Sequence, residues 1–386
     1  MNWKMKMAVN CALLLLLTGC WDRAELPEKG FVMGLAIDQT DDGKYLLTTQ
    51  IFKPAQAVGS KGNEMSFINI KATDTSIAKA IRDIPGHLGR KMQWSHMRII
   101  IIGDQLAKTK GLTDVLDFFY RDHEPRIIAP IMITKGRAAD YMQLHPLIEN
   151  TISQQLLEGQ RSSASSNGKT LEMNLLELGK QTKSEVGNAL MPYVFINKID
   201  SMTVMSIEGA ALIKKEKMIG HLSAEKMEGL QMLINKYKSG MVRIPCGKGA
   251  AKKQVETIEV LSLHSSMNAD FHKKPPVVHY KIQVQAAMSE LTCTGKIETM
   301  EQQKAFTTKA EQAIKQKLKS TTDYLKKIKF DGLGLGNEVY RKQPATWKKW
   351  KPDWEDIFAR TSFEYEVEVN LMSSGTNVDK TVLRKK

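Results

Sequence analysis

The sequence predicts a multi-domain α/β (α+β) protein with mixed, mainly antiparallel sheets and packed helices. Three observations support this. Short alternating segments, read as strands, recur along the chain. A long helical stripe lies near its C-terminal end. Between residues 98 and 134, strand, helix and strand follow one another in the order of a crossover unit. The chain has 386 residues, enough for two or three domains with sizeable cores. With 42% hydrophobic and 25% charged residues, the composition is that of a globular protein rather than a disordered one.

Phe31 to Ile37 and Tyr45 to Ile51 alternate as strands, with Asp41-Asp42-Gly43 as the hairpin signal between them. Phe67 to Lys71 is a further short strand. Thr75 to Ile84 places Ile77, Ala80, Ile81 and Ile84 on one helical face, with Pro85-Gly86 as its stop. Arg98 to Ile102 is continuously apolar, which suits a strand buried on both faces. Leu112 to Tyr120 reads as a helix and Arg126 to Thr134 as a strand. Serine and glycine in Gly159 to Lys169 predict a flexible loop between two helices. Val204 to Lys214 and Lys217 to Leu222 form a hairpin, and Ala224 to Tyr237 a helix. Pro245 to Lys253 reads as a linker, and Val255 to Leu263 and Val277 to Leu291 as strands. Glu301 to Ile328 is the clearest helix, with Phe306, Ala310, Ile314, Leu318, Leu325 and Ile328 as its apolar stripe. Its lysines suit a solvated face, or alternatively a membrane-facing one. Thr361 to Leu371 closes the fold as a half-exposed strand. The domain organisation expected is a leader over 1–19, an N-terminal α/β domain over 20–190, a small hairpin-and-helix domain over 191–250 and a C-terminal α+β domain over 251–386.

The first twenty residues point to a location. Lys4 and Lys6 precede an apolar stretch from Ala8 to Leu17 that is too short to cross a bilayer as a helix but has the form of a signal-peptide core. Leu17-Thr18-Gly19-Cys20 follows as a lipobox. A thiol is needed at its last position because sulfur accepts the diacylglyceryl group, and small residues before it admit the backbone to a peptidase. Cleavage between Gly19 and Cys20 leaves Cys20 as the lipid attachment site. Two acyl chains there satisfy the two-signal requirement for stable anchoring. The protein is therefore expected on the extracytoplasmic face of a cell membrane. The formal charge of +14 falls to about +12 once Lys4 and Lys6 leave with the leader, and such a basic exterior suits anionic headgroups. Export argues against nucleic acid as the partner. Cys246 and Cys293 are then the remaining thiols: a possible disulfide closing a long loop, or two small buried apolar side chains.

No catalytic, cofactor or metal site emerges. Gly168-Lys169-Thr170 lacks the upstream glycine of a phosphate loop, where Ser163 stands instead. Gly332-Leu333-Gly334-Leu335-Gly336 lacks dinucleotide spacing and reads as relief of backbone strain after a helix. His264, His272 and His279 have no nearby thiols to complete a zinc set. His123-Glu124, beside Arg121, Asp122 and Arg126, reads as a loop ion-pair network.

Directly after Cys20 comes Trp21-Asp22-Arg23-Ala24-Glu25-Leu26, then Val32, Gly34, Ile37 and Asp38. This opening closely resembles the mature start of the Ger(x)C spore-germination lipoproteins, the C subunits of germinant receptors. The resemblance continues at Ser95 to Asp104, Phe118 to Asp122, Ile207-Glu208-Gly209-Ala210, Lys217 to Gly220, Asp331 to Gly334, Trp347, Lys351, Trp354 and the strand at Phe363. It implies three α/β domains, no enzymatic activity, and a place on the outer surface of the spore inner membrane beside receptor A and B subunits, without cofactor, metal or nucleic acid. Asp22, Arg23 and Glu25 suit domain-start packing or a partner contact, and Trp347, Trp350 and Trp354 an interface patch or buried aromatics. The alternative function is an extracytoplasmic solute-binding lipoprotein of a transporter, which requires two similar lobes around a cleft. An envelope enzyme would need the motifs found missing above.

Overall fold

In the computed structural model the described residues are 29–53, 65–122, 124–200, 202–246, 254–294 and 297–372, together with Trp3 and Met7. The chain enters through β1 (Lys29–Gln39) and turns through Asp41-Asp42-Gly43 into β2 (Tyr45–Phe52), which pairs antiparallel with β3 (Phe67–Asp74). Helix α1 (Ile77–Leu88) starts at Ser76, whose hydroxyl caps the Lys79 amide, and buries the four residues of its apolar face. Pro85 does not end it. A proline in the last turn removes only one hydrogen bond, and the helix runs on to Gly89, whose left-handed φ of 67° and N–H to the Pro85 carbonyl terminate it.

Short β4 (Lys91–Gln93) and then β5 (Ile99–Gly103) pair parallel with β1. Every residue of β5 is buried: Ile100 and Ile102 enter the core on one face of the sheet, Ile99 and Ile101 that on the other. After α2 (Asp104–Thr109) and α3 (Thr113–Arg121), β6 returns parallel to β5, so the crossover is as expected. However, β6 spans only Ile131–Thr134. Arg126 to Ala129 make a turn, closed by the Ala129 amide on the Arg126 carbonyl, and Pro130 has no N–H to extend the ladder.

Beyond α4 (Ala138–Met142), helix α5 (Ile152–Asn167) occupies most of the segment expected to be a flexible loop. Its small residues serve packing. A Cβ on Gly159 would come within 3.0 Å of Ile207, and the Ser163 hydroxyl donates to the Ile207 carbonyl at 2.7 Å. Gly168 then ends the helix in the left-handed region.

After α6 (Leu175–Thr182), β7 (Asn188–Ile199) pairs parallel with β6 on one side and antiparallel with β8 (Met202–Lys214) on the other. It runs through the expected boundary at 190, so β8 and β9 (Lys217–Leu222) extend the first sheet instead of standing apart. The sheet order is β3-β2-β1-β5-β6-β7-β8-β9, with β4 also on β1. Parallel strands form its centre and antiparallel hairpins its flanks.

Gly209 makes this extension possible. It sits at a bulge in β8 with φ 73°, and a Cβ there would lie 2.1 Å from the Leu222 carbonyl oxygen. Gly209→Ala is expected to cost at least about 3 kcal/mol, combining a left-handed non-glycine residue with a backbone clash. Urea unfolding measures it, and an unchanged midpoint would contradict this role.

Helix α7 (Ala224–Leu233), shorter than expected, leads to the second sheet, β10 (Gly240–Pro245), β11 (Val255–Asp270), β12 (Val277–Glu290) and β13 (Ser362–Met372) in that order. The pairs are antiparallel except β12–β13. Between β12 and β13 run α8 (Met300–Lys327), α9 (Leu335–Lys342), α10 (Pro344–Trp350) and α11 (Trp354–Arg360). Thr299 and Gln302 form a capping box at the start of α8, whose stripe is buried from Phe306 to Leu325. Lys317 of its lysine set turns inward to an ion pair with Glu228 of α7. The two sheets differ in strand number and order, so the halves are not the similar lobes of a solute-binding protein.

Candidate functional site

The residues predicted to carry the anchor, Gly19 and Cys20, and the motif Trp21 to Leu26 lie outside the described residues. The rest of that opening motif is in β1. A Cβ on Gly34 would fall 2.1 Å from the Ser153 hydroxyl, so the bare glycine lets the start of α5 rest on the strand. Ser153 in turn donates twice to the Gln50 side-chain carbonyl, at 3.0 and 2.8 Å. Asp38, 3% exposed, accepts from the backbone amides of Ala138 and Ala139 at 2.7 and 2.8 Å, capping α4 from across the sheet. Burial raises its carboxyl above the ordinary aspartate range, against the pull of those two donors. The motif therefore locks the strand through which the N-terminal segment enters the fold.

On the opposite face of the sheet a cleft of about 720 Å³ lies between α1 and α3. Its floor includes the Tyr45 hydroxyl, which donates to Asp114 at 2.5 Å, while Lys110 stands 4.1 Å from the Tyr45 ring centre. Burial, then the Asp114 carboxylate, push the Tyr45 hydroxyl above its usual range. Arg82, Asp117, Arg121 and Asp122 mix both signs around the rim. The sequence reading missed this cleft, because it arises where two helices separated by 24 residues lean apart, and no local pattern marks that. Among the described residues no three His, Cys, Asp or Glu side chains gather as a metal site, and no helix is long and apolar enough to cross a membrane. His123 lies outside the described residues, and Gly168-Lys169-Thr170 is a helix end followed by a threonine hydrogen-bonded to the Gly209 carbonyl at 2.8 Å.

Cys246 and Cys293 are joined in the structure, with Cα atoms 6.1 Å apart, a separation that a disulfide spans without backbone movement. The bridge ties the end of β10 to the turn after β12. For a sequence separation of 47 residues, chain entropy gives it about 4 kcal/mol. Cys246→Ser is expected to lower the unfolding free energy by up to that amount, with no free thiol titrating in the unreduced denatured parent that begins at residue 20 and carries Cys20→Ala. Two titratable thiols in that parent would remove the bridge.

The glycine-rich segment after α8 wraps a carboxylate. Asp331 accepts from the amides of Leu333, Leu335 and Gly336 at 3.1, 3.1 and 2.8 Å, and from the Trp354 indole at 3.1 Å. Trp347, Trp350 and Trp354 are buried, which decides between the two readings of those tryptophans. Trp354 meets Trp347 edge-on at 5.3 Å and stacks with Trp350 at 6.4 Å. The Trp347 indole and Lys351 ammonium both reach Glu185 at 2.8 Å, tying the cluster to the segment before β7.

Two family profiles match in tandem: a spore germination protein N-terminal domain over residues 22–196, and a spore germination B3/GerAC-like C-terminal domain over 208–375. The chain belongs to the Ger(x)C spore germination family. Spore germination protein B3 of Bacillus subtilis (strain 168) is 25% identical over 96% of this chain and 98% of its own length. Spore germination protein KC of the same organism is 22% identical over 89% and 88%. The crystal structure of the GerBC protein superposes with a TM-score of 0.55 at 21% identity, covering 91% of this chain and all of that one, which establishes the shared fold. The motif residues of β1, the Gly209 bulge and the Asp331–tryptophan cluster all fall inside the matched spans. Among the described residues, Gly34, Asp38, Gly209, Asp331, Trp347 and Trp354 belong to the pattern that resembled the family, and each makes a contact between elements of the fold.

Proposed function

We propose that this protein is the lipid-anchored C subunit of a spore germinant receptor, held by Cys20 on the extracytoplasmic face of the spore inner membrane and needed for the germination response to nutrients. The observation that carries this reading is the pair of tandem germination-family matches over 22–196 and 208–375, beginning immediately after a lipobox. Its work is assembly and coupling rather than catalysis, beside an A subunit and a permease-like B subunit. Asp38 and Asp331, the buried aspartates among the described residues, are engaged with backbone amides as structural acceptors, which supports a structural role for both.

Affinity capture of the tagged protein from detergent-solubilised spore membranes tests the assignment. Recovery of an A-type and a B-type receptor subunit, with nutrient germination lost in spores lacking the chain, is the expected result. Capture of neither subunit, or normal germination in the deletion strain, would overturn it.

A further inference from the structure

The cleft between α1 and α3 has acids that are already engaged and donors that are not. On the α3 side, Asp114 accepts from the Tyr45 hydroxyl at 2.5 Å, and Asp117 from the Arg121 Nε–H with both oxygens at 2.8 Å. Asp122 accepts from the Glu124 amide at 2.9 Å. Of the four carboxylates that line the cleft, only the exposed Glu124 accepts from no described residue.

The donors of the other wall lack acceptors. Ile77 and Ala78 open α1, a helix of 12 residues whose Ser76 cap serves the amide of Lys79. Their own amides are among those that a helix leaves unbonded at its start. Asp74, the acid just before them, is taken up by the Ser76 amide and the Lys79 ammonium. One turn further along α1, Arg82 is exposed to the cleft and has no acidic partner among the described residues. Trp94 also lines the cleft and is only 4% exposed, yet its indole N–H donates to no described residue. A nearly buried donor in that state marks a place for an acceptor from outside the chain.

Apolar surface separates the two walls, from Ile81, Met92 and Phe118. A volume of about 720 Å³ is also that of a small-molecule site, for which about 300–1,000 Å³ is usual. A cation entering here would find carboxylates that are already satisfied. A neutral apolar molecule would leave the Trp94 N–H and the start of α1 unmet. An anion supplies acceptors to both, and the helix dipole and the Arg82 charge favour it.

We propose that the cleft between α1 and α3 binds a small organic carboxylate, its apolar body against Ile81, Met92 and Phe118 and its oxygens taking the donors of Arg82, the first turn of α1 and Trp94. Nothing else in the chain is required for this, so the site does not rest on the receptor assignment.

The mature-length chain carrying Cys20→Ala tests it by calorimetric titration with three probes of one shape: 4-phenylbutyrate, its neutral amide and 4-phenylbutylamine. The carboxylate is expected to bind at least about tenfold more tightly than the amide or the amine, as a charged acceptor should. Arg82 is exposed, so Arg82→Gln keeps the fold, and it should reduce the preference for carboxylate over amide to about threefold or less. Arg82→Lys, which retains the charge, should keep most of that preference. Trp94→Phe retains an aromatic ring without the N–H and is expected to weaken carboxylate binding by about fivefold. Absence of carboxylate binding up to millimolar concentration, equal or tighter binding of the amine, or an unchanged carboxylate affinity in both Arg82→Gln and Trp94→Phe would overturn the site.

Discussion

Cys20→Ala is expected to move the protein from the membrane pellet to the soluble fraction under a high-salt wash and to impair the germination response. Thiol chemistry dictates the size of the effect. The lipobox Leu17-Thr18-Gly19-Cys20 offers one sulfur for the thioether, and alanine offers no nucleophile at all. A diacylglyceryl group supplies two acyl chains, each buried CH₂ adding about 0.8 kcal/mol, whereas one chain alone gives only marginal attachment. With both chains gone, only the electrostatic attraction of exposed cations remains, and salt screens that over about 3 Å at molar concentration. The wash thus distinguishes a covalent anchor from a surface contact. Full retention of the Cys20→Ala protein after high salt would contradict the anchor, as would an intact, unacylated leader found by mass spectrometry on protein from native spores.

Much of the fold was legible because its signals are local. The apolar run Ile99 to Ile102 reads as a strand buried on both faces, and it is one. The stripe from Phe306 to Leu325 and the hairpin around Asp41-Asp42-Gly43 are equally self-contained. The departures have a common cause, which is that partners distant in sequence override local propensity. Serine and glycine between 159 and 168 favour a loop in isolation, yet β8 accepts a helix there because small side chains allow close approach. The hairpin of β8 and β9 looks like a unit of its own until β7 is seen to bond β6 at Tyr193 and Val194. The lipobox was legible as a motif; the cleft over Tyr45 was not. The glycines after α8 were read as relieving strain, whereas they also let three amides converge on Asp331. An aspartate opening Asp-Gly-Leu-Gly-Leu-Gly was the available signal, since short acidic side chains bond backbone amides just ahead of them.

Asp331 ties the loop after α8 to the start of α9 and to Trp354 of α11. Its two oxygens divide the work: Oδ1 accepts from Leu333 and Leu335, Oδ2 from Gly336 and the Trp354 indole. Asp331→Ala leaves four donors without that acceptor in a buried setting. Each unsatisfied donor costs about 1–3 kcal/mol, and relaxation keeps the sum from being additive, so a loss of at least about 3 kcal/mol is expected. The intrinsic fluorescence from Trp347, Trp350 and Trp354 should shift to the red as the stack loosens. Asp331→Asn keeps the volume and one carbonyl oxygen, enough for one of the two pairs of donors, and should fall between parent and alanine. The acid side of the stability curve separates charge from shape. Burial raises the Asp331 carboxyl above its ordinary value, with the four donors opposing. Between the unfolded value of about 3.9 and the raised folded one, the native chain holds a proton that the unfolded chain has released. Within that window the Asp331 contribution to stability falls as pH rises, and Asp331→Asn removes that slope. An alanine variant with unchanged urea midpoint and unchanged tryptophan emission would show that the loop holds its shape without the carboxylate.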